Sequence, residues 1–266
     1  MTAAAFETIA LDVADGVATV TLSRPQALNA FSMPMQRELA LLIPRLADDA
    51  AVRAVVLTGA GRAFCAGGDI REMDTLEDRS PLAARGRLQR MLATVLMPLV
   101  RLPKPVVAAV NGPAFGAGMN LALAADVVYA ADTATFSQAF VKVGLVPDTG
   151  GLYLLTRLVG LQVAKDLCFT GRTVSADEAA ALGLVGRVVP AAELMAAARE
   201  KALQFAQGAT AAIGLTKTLL HLATDSTLEQ MAEHEAAALA IVLSTEDHRE
   251  GIRAFIDKRA PQFRGR

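Results

Sequence analysis

Apolar and polar residues alternate through FETIALDV and VATVTLS on either side of the turn ADG, a period of two that predicts a β-hairpin. Ser32 followed by Pro34 opens a helical pattern that runs to about Asp48, because serine is a favoured cap and proline is tolerated in a first helical turn. Three later runs differ from both. AVVLTGAG, PVVAAVNG and DVVYAADT are short, rich in β-branched residues and almost uninterrupted in apolar character, and they stop at glycine or small polar residues. Strands covered on both faces read this way.

Between these strands lie GRAFCAGGDI, a glycine-bearing loop, and GPAFGAGMNLALAAD, in which a glycine-rich turn runs into good helix formers. The spacings between the strands differ too much for a fixed-period solenoid, so the pattern predicts an irregular stack of strand–strand–helix turns. Ser175 with Glu178 three residues on predicts a capping box for a short helix before Gly183, and VGRVV is the last clear strand. From about Ala191 to Lys258 the sequence is Ala-, Leu- and Glu-rich with helical spacing. This divides the chain into a core over residues 1–207 and a helical region over 208–266, with the boundary near Gly208. MDTLEDRSPLAARGRLQRMLATVLM has mixed polarity and no register from which a conformation follows. The tail EGIRAFIDKRAPQFRGR mixes basic and aromatic residues and suits either a solvated end or a flap that touches a ligand.

Composition narrows the function classes. The 266 residues are 53% apolar and 20% charged, enough to bury a sizeable core. With 26 basic and 27 acidic residues mixed along the chain, no field favours nucleic acid or an anionic membrane, and an anionic ligand has to be held locally. Two cysteines, Cys65 and Cys168, form neither a disulfide framework nor a CxxC pair, which fits a reducing compartment. The start MTAAAFETIALDVADG lacks a basic region followed by an apolar run, and no apolar stretch reaches a span of ~20 residues. A cytoplasmic protein is expected.

Candidate chemistry begins with one oddity. In FVKVGLVPDTGG, Asp148 is the only acidic side chain, and it stands just before a segment, LYLLTRLVG, with helical spacing. It is either a helix cap or a carboxylate working in a dry pocket. AFCAGGDI and NGPAFGAGMNL each place small residues where backbone N–H groups can approach a ligand, and the second does so where a helix begins, so its free N–H groups and the helix dipole favour negative charge. Two such amides aimed at one point would make an oxyanion hole, whereas packing of strand on helix explains the glycines equally well.

Taken in order, FCAGGDI, PKPVVAAVNGPAFGAGMNLALAADVVYAADTATF and VGLVPDTGG resemble the crotonase (enoyl-CoA hydratase/isomerase) superfamily, and RPQALNAF and EGIRAFIDKRAPQF extend the likeness to almost the whole chain. The resemblance implies an α/β fold, a spiral of ββα units with a C-terminal helical region, assembled as trimers that often pair into hexamers. It implies an acyl-CoA thioester as substrate, with coenzyme A part of that substrate and no separate cofactor or metal. By motif, the oxyanion-hole amides would be those of Gly68 and Ala117. Arg24, Ala27, Ala66, Asp69 and Ile70 match positions that line the CoA site in relatives. Hydratases of the family carry two glutamates at the positions of Asn120 and Phe140, here substrate-side candidates without a carboxylate. Adding water needs a group to activate it and an acid to finish, so ordinary hydration is disfavoured.

Within the family the likeness is strongest to the epoxyphenylacetyl-CoA isomerases of phenylacetate breakdown and to Δ3,Δ2-enoyl-CoA isomerases, where GLxPDxGG supplies a lone acid/base. That role falls on Asp148, whose apolar neighbours Phe140, Val143, Leu145 and Val146 are expected to raise its pKa. A hydratase working through Asp148 and a non-catalytic acyl-CoA binder remain alternatives. A dehalogenase-like hydrolase falls behind, since the chain has no Trp and no His before His221. An RNA-binding stripe is unsupported, because MPMQRELALLIPRLADDAAVR has three arginines, no lysine and three acids. His221, His234 and His248 lack ligand spacing, Cys65 has no neighbouring cation, and Lys142, Lys258 and Arg259 read as solvated surface.

Overall fold

The computed structural model describes residues 6–266. Residues 1–5, where the N-terminal stretch MTAAAFETIALDVADG and the core segment both begin, lie outside the described residues. Strands β1 (Ile9–Ala14) and β2 (Val17–Leu22) form the hairpin that the alternation predicts, joined through Asp15 and Gly16, whose positive φ values of 54° and 79° match the twist of the strands they connect. Helix α1 (Met33–Asp48) starts at Ser32, whose hydroxyl accepts from the Met35 N–H, with Pro34 in the first turn. It returns the chain to β3 (Ala54–Gly59), which pairs parallel to β2.

The stretch without clear register is helical: α2 (Ile70–Asp74), then α3 (Pro81–Met91), a π-helical turn over Leu92–Leu96 and α4 (Met97–Val100). Pro98 has no N–H for the carbonyl one turn earlier, and the widened turn lies just ahead of it. Next come β4 (Val106–Val110), β5 (Ala114–Phe115), α5 (Ala117–Leu123), β6 (Val127–Ala131) and β7 (Thr135–Ser137). Helix α6 (Gly151–Thr170) is not one straight helix. Its predicted run ends at Gly160, which takes φ 73° and ψ 168° and kinks the element. Beyond it lie β8 (Val174–Ser175), α7 (Ala176–Ala181), β9 (Arg187–Val189), α8 (Leu194–Ala206), α9 (Thr210–Ala223), α10 (Leu228–Leu243) and α11 (Glu246–Ile256). The predicted capping box at α7 is only half formed: Ser175 accepts from the Glu178 N–H, but the Glu178 carboxylate turns to Arg172 at 2.7 Å.

Six strands make the main sheet in the order β1-β2-β3-β4-β6-β9, parallel from β2 onward, and β5-β7-β8 make a second small sheet. Every residue of β3 and β4 is buried, as their unbroken apolar runs predict. Val20, Val55 and Leu57 face Leu39, Leu42 and Ile43 of α1, while α8 packs on the same strands. This is the α/β architecture with a C-terminal helical region that the resemblance implies. The main core cluster runs from Ile9 to Ala206, and among the described residues α9, α10 and α11 add nothing to it. They are tied on by polar contacts instead. The Arg53 guanidinium donates to the carbonyls of Gly208 (2.5 Å) and Phe263 (2.9 Å) and to the Thr210 hydroxyl (3.0 Å). Buried Asp247 accepts from the N–H groups of Arg264 (2.6 Å) and Gly265 (2.7 Å), so the tail is folded back onto α11.

Candidate active site

Two loops leave the C-terminal ends of β3 and β4 and meet. The first is laced to the segment after β2: the Ala66 N–H donates to the Leu28 carbonyl at 3.0 Å and the Phe31 N–H to the Gly67 carbonyl at 2.7 Å. Arg24 donates to Asp69 Oδ2 at 2.8 Å and to the Ala30 carbonyl at 3.0 Å. Asp69 Oδ1 caps α2 through the Arg71 and Glu72 N–H groups. Burial would push the Asp69 carboxyl up, but the Arg24 guanidinium and those amides hold it below the usual carboxylate range. Ala27 ends the short 3-10 turn Pro25–Ala27 in the same strap, and Ile70, 62% exposed, opens α2. The structure thus brings Arg24, Ala27, Ala66, Gly68, Asp69 and Ile70 onto one edge.

Sequence reasoning passed over Asn29, which holds this strap together. It is fully buried, and its amide donates to the carbonyls of Ala60 (2.8 Å) and Ala63 (2.7 Å), while its own oxygen accepts from the Arg24 N–H at 2.8 Å. Its φ is 55°, a left-handed backbone that asparagine tolerates better than most residues, but nothing in the residue type alone marks this position in the sequence.

The second loop lies against the first along its length. Phe115 N–H donates to the Cys65 carbonyl at 2.9 Å, and Cys65 N–H to the Pro113 carbonyl at 3.1 Å. A Cβ on Gly118 would stand 2.1 Å from the Cys65 carbonyl oxygen, and one on Gly67, where φ is 102°, would stand 2.9 Å from the Phe115 oxygen and 3.9 Å from the Ala117 nitrogen. Only glycine allows this approach. Gly116 turns through φ 50°, its N–H held by the Ser137 carbonyl at 2.8 Å, and Ala117 opens α5. Among the described residues neither the Gly68 N–H nor the Ala117 N–H donates to a protein acceptor. At Ala117 this is the ordinary state of a first-turn amide, and the positive end of α5 lies there.

Asp148 is not a helix cap. Helix α6 is capped at Gly150 with no side-chain bond, and what Asp148 supplies to the first turn is its backbone carbonyl, accepting from the Gly151 N–H at 2.9 Å. Its half-buried carboxyl accepts from the Thr149 hydroxyl at 2.8 Å. Burial pushes its pKa above the usual carboxylate range, against the opposing hydrogen bonds from Thr149 and the local backbone. The source of that burial differs from the expected one. Of the four neighbours expected to supply it, Phe140 is buried, but Val143, Leu145 and Val146 are exposed, Val146 by 77%. The loop instead rests on Leu96, which a Cβ at Gly150 would meet at 2.3 Å, and on Asn120.

Asn120 and Phe140, at the glutamate positions, are both buried. The Phe140 ring packs against Gly116. The Asn120 amide is committed within the protein: its Nδ2 donates to the Asp148 carbonyl at 2.8 Å and its Oδ1 accepts from Gln138 Nε2 at 2.7 Å. Asn120 is three residues beyond Ala117, about 4.5 Å of helix rise, so the Asp148 main chain is anchored one turn from the candidate amide. Gln138 was not singled out from the sequence, where nothing distinguishes it from other polar loop residues.

Other groups stand apart from this chemistry. Burial pushes the Cys65 thiol up to about 12, which makes it inert. His221, His234 and His248 lie on α9, α10 and α11. Lys142 is exposed, and Arg259 is paired with Glu250 at 2.6 Å. Among the described residues no group of three or more His, Cys, Asp or Glu side chains could hold a metal ion, and no helix is long and apolar enough to cross a membrane.

Residues 12–266 match the family model described as enoyl-CoA hydratase/isomerase. The chain belongs to this family. It is 39% identical to the 1,2-epoxyphenylacetyl-CoA isomerase of Escherichia coli, over 98% of this chain and 99% of that one. It is also 39% identical to the short-chain-enoyl-CoA hydratase of Clostridium acetobutylicum, over 91% and 92%. A crystal structure of an enoyl-CoA hydratase/isomerase from Cupriavidus metallidurans superposes with a TM-score of 0.92 at 39% identity, covering 98% of this chain and 97% of that one. Acyl-CoA hydratase/isomerase chemistry follows from membership.

Proposed function

We propose that this member of the family is an enoyl-CoA isomerase that moves a double bond through a thioester enolate, with Asp148 as its single acid/base. The observation that carries the reading is the disposition of side chains at the two glutamate positions. One is the apolar Phe140 and the other is Asn120, whose amide is already spent on Gln138 and Asp148, leaving Asp148 as the carboxyl anchored beside α5. In this reaction the Asp148 carboxylate takes a proton from C2 of a 3-enoyl thioester. The C–H electrons move into the C1–C2 bond, and the thioester oxygen takes up negative charge facing the Gly68 and Ala117 amides. The protonated Asp148 then returns the proton at C4, leaving the double bond between C2 and C3. Each well-placed amide donor is worth ~3 kcal/mol of barrier. Arg24, Ala27, Ala66, Asp69 and Ile70 form the edge on which the CoA moiety would lie. Isomerisation of a ring epoxide is the related reaction, supported by the likeness to the Escherichia coli isomerase.

Hydration is the second reading, favoured by the equal identity to the clostridial hydratase. The discriminating assay follows double-bond migration on a 3-enoyl-CoA and hydration of a 2-enoyl-CoA with native protein and Asp148→Asn. Isomerisation by the native protein that falls ~10²–10⁴-fold in the variant is expected. Equal rates would remove Asp148 from the mechanism, hydration alone would favour the hydratase, and tight ester binding without turnover would favour a non-catalytic binder. The same reading includes a homotrimer, alone or paired into a hexamer. It is supported by the exposed apolar side chains of α11, with Phe255 86% and Ile256 70% exposed beside an apolar hollow of about 410 Å³.

A further inference from the structure

Resting on Asp148 as the acid/base, we propose that Asn120 and Gln138 are positioning residues: a relay of two buried amides that fixes where the Asp148 main chain sits relative to the Ala117 amide. The polarity of the relay is set at one end. The Asp148 carbonyl can only accept, so Asn120 must turn Nδ2 toward it (2.8 Å), which leaves Asn120 Oδ1 to receive Gln138 Nε2 (2.7 Å). Gln138 Oε1 is then buried with no hydrogen-bond partner, on a side chain only 1% exposed. Turning Gln138 over would satisfy nothing, since it would face two oxygens toward each other. A buried amide kept in a half-satisfied state is held by what its other half does.

The placement of the relay gives it that task. Gln138 directly follows Ser137, whose carbonyl holds the Gly116 N–H at 2.8 Å and whose hydroxyl donates to Gly171 at 2.9 Å. One short segment therefore grips both the turn that presents Ala117 and, through Asn120, the loop that presents Asp148. The fit is tight as well as polar: a Cβ at Gly151 would stand 2.2 Å from Asn120 Nδ2, so the start of α6 is seated directly on the Asn120 amide. Asn120 thus acts through the backbone of Asp148 and not on the substrate. A hydratase glutamate at this position would be replaced by a group that aims the remaining carboxyl.

The experiment joins kinetics with an observable that does not depend on turnover. Asp148 is titrated by ¹³C-carboxyl NMR of aspartate-labelled protein, its resonance assigned by its loss in Asp148→Asn. Native protein is compared with Asn120→Leu, Gln138→Leu and the double variant. In Asn120→Leu the Asp148 titration is expected to move down toward an ordinary carboxylate as its loop shifts toward solvent. On a 3-enoyl-CoA, kcat should fall about 100-fold with KM within about twofold, the scale of a 1 Å misplacement. Gln138→Leu should shift both in the same direction by less, and the double variant should be no worse than Asn120→Leu. If Asn120→Leu does not fold, Gln138→Leu alone decides by the same titration. An unchanged Asp148 titration in a folded variant overturns the proposal, whatever happens to kcat. Absence of isomerisation by native protein would instead count against the isomerase reading and leave the titration to judge the relay.

Discussion

At the scale of single residues, the role proposed for Asp148 sets function against stability. Its folded pKa is raised by burial, so its contribution to stability is full below the unfolded pKa and is lost as pH rises through the folded pKa. The proposed role as a base requires the ionised form, on the side of the titration where Asp148 burdens the fold. Two outcomes follow. The isomerisation rate should fall with decreasing pH along a limb placed above the ordinary aspartate range. Asp148→Asn should be more stable than native protein to urea at neutral pH, with the difference closing at acid pH. A native protein more stable at neutral pH than the variant would show that the carboxylate is not desolvated. Asp69 shows the reverse linkage: with its pKa held down, its contribution is present above the unfolded pKa and is lost as pH falls through the folded one.

At the scale of elements, the proposed oxyanion hole depends on two glycine loops approaching without side chains between them. Gly118, in the first turn of α5, has the Cys65 carbonyl oxygen 2.1 Å from where a Cβ would sit, and that neighbour is backbone that cannot rotate away. Gly118→Ala should therefore push α5 and the Cys65 loop apart. An overpacking cost of roughly 1–3 kcal/mol is expected by denaturant titration, with loss of turnover from the parted amides. Full activity in the variant would mean that the loops are freer to move than their contacts imply. The kink at Gly160 and the π-helical turn before Pro98 belong to the same scale. Neither was legible from hydrophobic spacing. Periodicity reports which face of an element is buried but carries little information about local backbone departures that leave that face in place.

For the whole molecule, the helices after Gly208 cover little of the main core and keep apolar side chains on their outer face. Arg53 ties Gly208 and the tail to the spiral, and Asp247 holds the tail against α11. Exposed apolar patches of this kind favour self-association. Light scattering on purified protein is expected to give the mass of three chains or six, and Phe255→Glu should shift it toward the monomer. A native protein monomeric at micromolar concentration would refute the trimer.

The sequence by itself determined the six strands of the main sheet and the principal helices, because alternating or unbroken apolar runs have only one economical way to be buried. It also determined the order of the glycine loops and the presence of one acidic side chain in an apolar stretch. Only the tertiary structure decided what that side chain is free to do: Gly150 caps α6, Asp148 does not, and of the four residues expected to bury it Phe140 is buried while Val143, Leu145 and Val146 are exposed. Asn29 and Gln138 became visible only there as well. A buried amide matters through the partners that reach it, and those of Asn29 at Ala60 and Ala63 lie 31 and 34 residues away, while Gln138 meets Asn120 across 18. Local pattern fixes which faces are hidden, whereas hydrogen-bond partners so distant in sequence exist only once the chain has folded.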